Sequence, residues 1–243
     1  MVQQLTAETV SEIIYPDCDG EPMAENTKQF RWIVTIKENL EIFFANNPDV
    51  FVAGDLLWYP VEGNNKIRQA PDTMVILGRP KGDRGSYRQW EENNIPPQVA
   101  FEILSPGNRA GKMADKLLFY QRYGVQEYYI YDPDDNELSG FIRNENWFES
   151  ISEMNGWVSP LLEIKFLLTE NNLEIYRPDG RKFLTPVELD RLREQEKQEK
   201  ELAQSQAEQQ RQRAEEAIAQ LEQEKQRSQN LLKLLREQGI NPE

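Results

Sequence analysis

The chain has 243 residues, of which 28 are basic and 42 acidic, so its formal net charge is −14 at pH 7. It contains no histidine and a single cysteine, Cys18. This composition excludes intrachain disulfides, nucleophiles activated by histidine and metal sites built on histidine. Any catalysis must therefore use carboxylates, lysines, hydroxyl groups or a metal ion held by oxygen ligands.

Three regions follow one another along the chain. Residues 1–26 are polar, contain two prolines and predict an irregular N-terminal arm. Residues 27–184 carry the helix and strand signals of one α/β domain. Residues 185–243 consist mainly of Glu, Gln, Lys, Arg, Ala and Leu, which predicts a long charged helix or a coiled coil. No apolar run approaches the ~20 residues needed to cross a bilayer, and no signal-peptide pattern is found, so we expect a cytoplasmic protein without a membrane partner.

Hydrophobic periodicity and turn residues predict the elements of the central domain. In chain order we expect a helix over 27–46, strands over 50–59, 67–77 and 99–104, a helix capped by Asn108, and strands over 126–131, 138–143, 147–151, 164–168 and 173–176. The turn signal at 63–65 makes the second strand return antiparallel to the first. The polar stretch 79–97 is predicted to be a long loop.

One carboxylate lies where a strand should be buried. Glu102 interrupts the apolar run 99–104, and burying its charge is costly unless a partner meets it. On the following helix, Lys116 falls at the edge of the apolar stripe. A buried ion pair between these two residues is the structural interpretation. Asp72 also has an ordinary interpretation, because aspartate is common after proline at turns and strand ends.

A metal site accounts for Asp72, Glu102 and Lys116 together. Two carboxylates at the edge of neighbouring strands can share a hard divalent cation such as Mg²⁺. A nearby lysine can orient a water molecule or offset the charge that develops on a phosphate. The sequence leaves this hypothesis and the ion pair open.

Several short strings, taken together and in order, resemble a known family. They are Ala70-Pro71-Asp72, Phe101-Glu102-Ile103-Leu104-Ser105-Pro106, Lys116 to Tyr120, Gly124-Val125-Gln126-Glu127-Tyr128-Tyr129 and Asp132-Pro133. They resemble the Uma-two family, bacterial restriction-endonuclease-like proteins of the PD-(D/E)XK nuclease superfamily. The resemblance covers roughly residues 28–177, and residues 235–243 also look like the tail that many members carry.

The resemblance implies roles for individual residues. Asp72 takes the place of the aspartate in the PD motif, and Glu102 that of the acidic residue on the next core strand. The backbone carbonyl of Ile103 would complete the metal site by analogy. Both carboxylates would thus hold the metal and take part in catalysis.

The catalytic lysine of the superfamily normally lies two residues after the acidic residue, where this chain has Leu104. The resemblance implies that a lysine on the following helix reaches the same space from the other side. Lys116 is the first choice, and Lys112, one turn earlier, is the rival candidate.

The implied fold is an α/β, restriction-endonuclease-like core with a mixed sheet, in the order helix, three antiparallel strands, helix, strand. Flanking helices, an antiparallel extension and a long charged C-terminal helix complete it. The implied function is cleavage of DNA by an endonuclease that depends on Mg²⁺ or Mn²⁺. Two alternatives remain: an inactive nuclease-fold scaffold that binds a partner or forms a homo-oligomer through its C-terminal helix, and a hydrolase acting on another phosphate ester.

Overall fold

The structure is a computed structural model that describes residues 13–20, 22–107 and 110–237. It divides into two compact units at the boundary between Thr185 and Pro186. The described residues before Thr27 form neither helix nor strand. The expected helix cap, Asn108, and the last six residues of the predicted tail lie outside the described residues.

Three helices and ten strands are described. In chain order they are α1 (Thr27–Phe43), β1 (Val50–Ala53), β2 (Trp58–Tyr59), β3 (Thr73–Leu77), β4 (Tyr87–Arg88), β5 (Val99–Ile103), α2 (Ala110–Tyr123), β6 (Glu127–Asp132), β7 (Glu137–Asn144), β8 (Trp147–Ser150), β9 (Lys165–Leu168), β10 (Leu173–Tyr176) and α3 (Pro186–Glu237). A short 3₁₀ turn, Gln89–Glu92, follows β4.

A mixed six-stranded sheet in the order β1-β3-β5-β6-β7-β8 forms the core of the first unit. Strands β5 and β6 are parallel and are joined by α2, whereas the other neighbouring pairs are antiparallel. Strand β2 pairs in parallel with β4, and β9 pairs antiparallel with β10. Helix, three antiparallel strands, helix and strand occur in the predicted order, which confirms the fold class.

Each face of the sheet has its own hydrophobic core. Because side chains alternate along a strand, neighbouring residues of β3 and β5 point to opposite faces. Val75 and Phe101 pack with α1 and with the β9–β10 pair. Met74 and Ala100 pack with α2 and with the β2–β4 pair. The even-numbered positions of β3 and β5 therefore face α2, and Glu102 is one of them.

Helix α1 begins at a typical cap. The side chain of Asn26 accepts a hydrogen bond from the backbone N–H of Gln29 at 2.8 Å, which satisfies one of the unpaired donors of the first turn. The buried stripe of Ile33, Ile36 and Leu40 then places the helix on the sheet. The helix ends three residues earlier than the sequence predicts, within the ordinary uncertainty of helix ends.

The predicted strand over 50–59 is interrupted. It stops at Ala53 because Asp55 adopts a left-handed backbone conformation with φ of 49°. There its N–H donates to the carbonyl of Pro71 at 3.1 Å, which ties the end of β1 to the residues before β3. The remainder, β2, pairs with β4 from the segment that was predicted to be loop throughout.

The C-terminal end of α2 is held by Arg143 from β7. Its Nε donates to the carbonyl of Val125 at 2.7 Å, and its Nη2 donates to the carbonyls of Tyr120 and Gln121. A cation at this end also complements the helix dipole.

We expect Arg143→Met to lower the free energy of unfolding by about 1.5–3 kcal/mol, the usual worth of hydrogen bonds to a charged group. Thermal unfolding measures this, with exposed Arg122→Met as the control; equal shifts would contradict it.

Helix α3 has 52 residues, none of them buried. It begins at Pro186, where the capping pattern of the sequence predicts its start. Several of its large apolar side chains are exposed, among them Ile218 and Leu221. Within the part of the chain that the structure describes, no helix is both long and apolar enough to cross a membrane.

Candidate active site

The two predicted carboxylates lie opposite each other on neighbouring strands. Thr73 of β3 pairs with Phe101 of β5, so the antiparallel register continued by one residue sets Asp72 opposite Glu102. Residues in such positions share a face and have Cβ atoms about 4.5–5.5 Å apart. The Oδ2 of Asp72 accepts the backbone N–H of Ile103 at 2.6 Å, which anchors this carboxylate to β5. Asp72 is 7 % exposed and Glu102 is 1 % exposed.

Both carboxylate oxygens of Glu102 have partners on α2. The Nζ of Lys116 donates to Oε2 at 2.6 Å, and the hydroxyl of Tyr120 donates to Oε1 at 2.5 Å. The buried ion pair that the sequence allowed is therefore present. In the sequence, Tyr120 belongs with Met113 and Leu117 to the apolar stripe of this helix, and no role in the site is predicted for it. Its position four residues after Lys116, on the same helix face, was the signal that its hydroxyl could reach the same carboxylate.

The charges in this cluster influence one another. Burial raises the pKa of Asp72 well above its ordinary value, and the nearby Glu102 carboxylate raises it further. Burial alone would lower the pKa of Lys116, but Glu102 and Asp72 outweigh it and the pKa is raised, so the amine stays protonated. Burial and the Glu102 carboxylate raise the pKa of Tyr120 as well, so its hydroxyl remains a donor.

A cavity of about 560 Å³ opens on this cluster. Asp72, Lys116 and Lys112 line it, and so do four further carboxylates that the sequence did not place in the site: Asp19, Glu25, Asp55 and Asp115. Burial raises the pKa of Asp55, and the charges of Asp19 and Glu102 raise it further. The left-handed turn that ends β1 brings Asp55 here, and the sequence showed only that it interrupts a strand.

Leu104 stands at the position where the resemblance would place the catalytic lysine. Leu104 donates its N–H to the carbonyl of Tyr131 at 2.8 Å and brings no charge to the site. Of the two lysines proposed to replace it, Lys116 contacts Glu102 directly. Lys112 lines the same cavity one helical turn earlier.

The donor atoms of the site are of the kind that Mg²⁺ and Mn²⁺ prefer. Asp72, Glu102 and the carbonyl of Ile103 all present oxygen, and the Glu102 carboxylate contacts the ammonium group of Lys116. The Ile103 carbonyl also accepts the side-chain amide of Gln29 from α1 at 2.8 Å, a contact the sequence did not indicate. Among the described residues, no group of three or more His, Cys, Asp or Glu side chains is arranged to hold a metal ion. The two carboxylates, the backbone carbonyl and water molecules would therefore together supply the oxygen ligands of a divalent cation.

A further polar group borders the site. The hydroxyl of Tyr128, on β6, is buried and has no hydrogen-bond partner within the described ranges. Burial raises the pKa of Tyr128, and the charges of Glu102 and Asp72 raise it further. This hydroxyl therefore stays protonated and remains a donor.

Comparisons with known proteins show the family of this chain. The model of the Uma2 family, described as "Putative restriction endonuclease", matches residues 4–169. A search of curated proteins finds no match. One similar solved structure is the crystal structure of a putative nuclease belonging to DUF820 from Anabaena variabilis ATCC 29413. It is 17 % identical, with a TM-score of 0.43 over 57 % of this chain and 74 % of that chain. Because the family model spans more than half of the sequence, the chain belongs to the Uma2 family of restriction-endonuclease-like proteins.

Proposed function

We propose that the chain is a metal-dependent endonuclease that hydrolyses phosphodiester bonds of DNA, with the active site within residues 27–184. One observation carries the proposal: Asp72 and Glu102 lie opposite each other on neighbouring strands, and Glu102 is paired with Lys116 from the crossing helix. Membership of a restriction-endonuclease-like family supports the same reaction.

Asp72, Glu102 and the carbonyl of Ile103 would hold the cation, Mg²⁺ or Mn²⁺. When bound, such a cation stabilises negative charge on a phosphate and makes a water molecule more acidic. Its charge would also relieve the repulsion that raises the pKa of Asp72. To bind the cation, Glu102 would give up part of its present contact with Lys116.

The protein's own groups have separate tasks in this proposal. Lys116 is protonated, so it acts as a positive charge and hydrogen-bond donor toward phosphate oxygens and not as a general base. Tyr120 keeps its bond to Oε1 of Glu102, so this carboxylate stays oriented when Lys116 turns to the substrate. Asp72 stays oriented through the N–H of Ile103. The two carboxylates are thus held in place before the substrate arrives.

The negative net charge of the chain requires a local attraction for DNA. The cavity is lined by four basic side chains, Lys66, Arg68, Lys112 and Lys116, and by five acidic ones, Asp19, Glu25, Asp55, Asp72 and Asp115. The attraction would come from these four cations once a bound divalent cation offsets the acidic side chains. Contacts between such cations and phosphates weaken as salt rises, because the release of counterions from DNA on binding is then less favourable. We therefore expect DNA binding to be confined to the rim of this cavity and to be strongly salt-dependent.

Asp72→Asn is expected to stabilise the metal-free protein and to abolish cleavage. Because the pKa of Asp72 is raised in the folded protein, folding disfavours its charged carboxylate. The contribution of Asp72 to stability is therefore greatest at pH values below 3.8, its ordinary pKa, and is lost as the pH rises through the raised pKa. Asparagine can still accept the N–H of Ile103 but carries no charge. At neutral pH the Tm should rise by roughly 2–4 °C for each kcal/mol recovered.

Melting curves over a pH series and plasmid cleavage assays check this prediction together. Wild type should lose stability with rising pH relative to Asp72→Asn, and only wild type should cut DNA. A variant that melts lower than wild type at neutral pH, or that still cuts DNA, would contradict the role of Asp72 proposed here.

We also propose that α3 binds a second copy of the chain. Small or apolar residues fit a spacing of three and four on it, interrupted by Lys225 and Ser228: Ala214, Ile218, Leu221, Leu232 and Leu235. Ile218, Leu221 and Leu232 are large apolar side chains that are 61 %, 67 % and 39 % exposed, as is typical of a surface that a partner covers. Spacing of this kind is typical of coiled coils.

A further inference from the structure

Two polar residues complete a continuous seam on α3. Lys225 and Ser228 lie between the apolar positions, so the seam runs 214, 218, 221, 225, 228, 232 and 235 at alternating spacings of four and three. Ala214 is a d position, and the other six are the a and d positions of the three heptads that follow it. All of them lie within the helix Pro186–Glu237. The seam is thus apolar at both ends and polar at its centre.

A parallel pair in register would place each seam residue against its own copy. The same heptad pattern followed toward the start of α3 meets basic residues at four of its eight seam positions: Arg193, Lys197, Lys200 and Arg211. A parallel pair over residues 214–237 would bring two like charges together at Lys225, and one that extended over the whole helix would add four more such layers at these basic positions. Each such layer opposes association, because the charges repel and must give up water.

An antiparallel pair that crosses between residues 226 and 227 avoids these contacts. It places Ile218 against Leu235 of the partner subunit and Leu221 against Leu232 of the partner subunit. Lys225 then faces Ser228 of the partner subunit and not a second lysine. The basic seam positions before Ala214 lie beyond the end of the paired segment and remain in solvent.

The flanking charges favour the same orientation. In the antiparallel pair Glu215 lies beside Arg236 of the partner subunit, a complementary pair of charges at each end. In the parallel pair Arg236 would lie beside Leu231 of the partner subunit, with no charge to meet. Charge complementarity therefore supports the antiparallel arrangement over the parallel one.

We infer that two copies of this chain associate through an antiparallel coiled coil formed by residues 214–237 of α3. This inference rests on the self-association proposed above and adds its orientation and its segment. The partner is a second copy of the chain, held by four apolar layers at the two ends of the seam and by a lysine–serine layer on each side of the crossing point.

Light scattering on the full chain tests the association. Wild type is expected to have the mass of two chains, and Leu221→Glu that of one, because a carboxylate in the seam cannot be paired there. Leu202→Glu is a matched control, since Leu202 is similarly exposed, at 60 %, but lies outside the seam and should leave the dimer intact. A wild-type mass of one chain would overturn both the association and its orientation.

Disulfide cross-linking tests the orientation separately. In a Cys18→Ser background, chains with Ile218→Cys are mixed with chains carrying Leu235→Cys and are oxidised. The antiparallel pair should give cross-links between the two kinds of chain. In a pair of identical variants, the two cysteines would be offset along the paired helices by 17 positions, which is roughly 25 Å at 1.5 Å per residue and too far for a disulfide. Cross-links within each variant alone would overturn the orientation while leaving self-association intact. Neither readout depends on nuclease activity.

Discussion

Glu102→Gln should lower the rate of DNA cleavage by about 10²–10³-fold or more, the range found when one electrostatic contact to a reacting centre is removed. The substitution keeps the size of the side chain but removes the charge that would bind the cation and that now binds Lys116. Single-turnover cleavage in Mg²⁺ measures the change directly. The chemical step should be affected and not only DNA binding, because Glu102 is 1 % exposed.

Glu127→Gln is a control matched in burial and chemistry. Glu127 is also 1 % exposed and lies on β6 of the same sheet, but it faces the other core. There its carboxylate accepts hydrogen bonds from Ser159 and from the N–H of Leu161. Cleavage per folded molecule should therefore survive this substitution. Equal losses in the two variants would mean that Glu102 acts through folding alone.

Lys116→Met should destabilise the metal-free protein by roughly 3–5 kcal/mol, the cost of leaving one buried charge of a pair without its partner. Glu102 would keep only the hydroxyl of Tyr120 as a donor. For a chain of this size the Tm should fall by roughly 6–20 °C. Lys112→Met, one turn earlier on α2 at an exposed position, should change the Tm far less.

The double variant Lys116→Met with Glu102→Gln separates the ion pair from other effects. Removing both charges leaves no unpaired ion, so much of the lost stability should return and the two substitutions should not be additive. Additive losses would show that Glu102 and Lys116 are not coupled, in conflict with their 2.6 Å contact.

The pairing of Asp72 with Glu102 could be predicted because it follows from strand register. Once 67–77 is read as returning beside 99–104, the ends of the two strands must meet, and a charge in an apolar run stands out. The amine of Lys116 could be predicted as well, since the helix after a strand crosses back over the same sheet. These parts of the site rest on signals within short segments.

Other parts of the site depend on contacts between distant segments. Gln29 reaches the carbonyl of Ile103 across 74 positions of the sequence, and nothing near Gln29 marks it. Asp55 joins the cavity only because its backbone turns to the left-handed conformation. The hydroxyl of Tyr120 was hidden by its ring, which fits an apolar stripe. A polar tip on an apolar body is ambiguous in sequence and becomes clear only when its neighbours are known.

The short pair of β2 and β4 was missed for a related reason. Each strand has two residues, too few for an alternating pattern to be recognised. Parallel pairing between them also links segments nearly thirty positions apart, which no local turn signal announces. The bounds of β5, β6, β7 and β8, by contrast, lie within one residue of the predicted ones, whereas the predicted strands over 50–59 and 67–77 are each six residues longer than β1 and β3.

Metal-dependent cleavage is tested most directly by incubating the purified full-length chain with plasmid DNA in Mg²⁺, in Mn²⁺ and in EDTA, beside Glu102→Gln. Wild type should cut with either metal and not in EDTA, and Glu102→Gln should leave the plasmid intact under all three conditions. Cleavage in EDTA, or equal cleavage by both proteins, would contradict a metal site at Asp72 and Glu102. A folded wild-type chain that leaves DNA intact in both metals would contradict the nuclease proposal itself and favour the scaffold alternative.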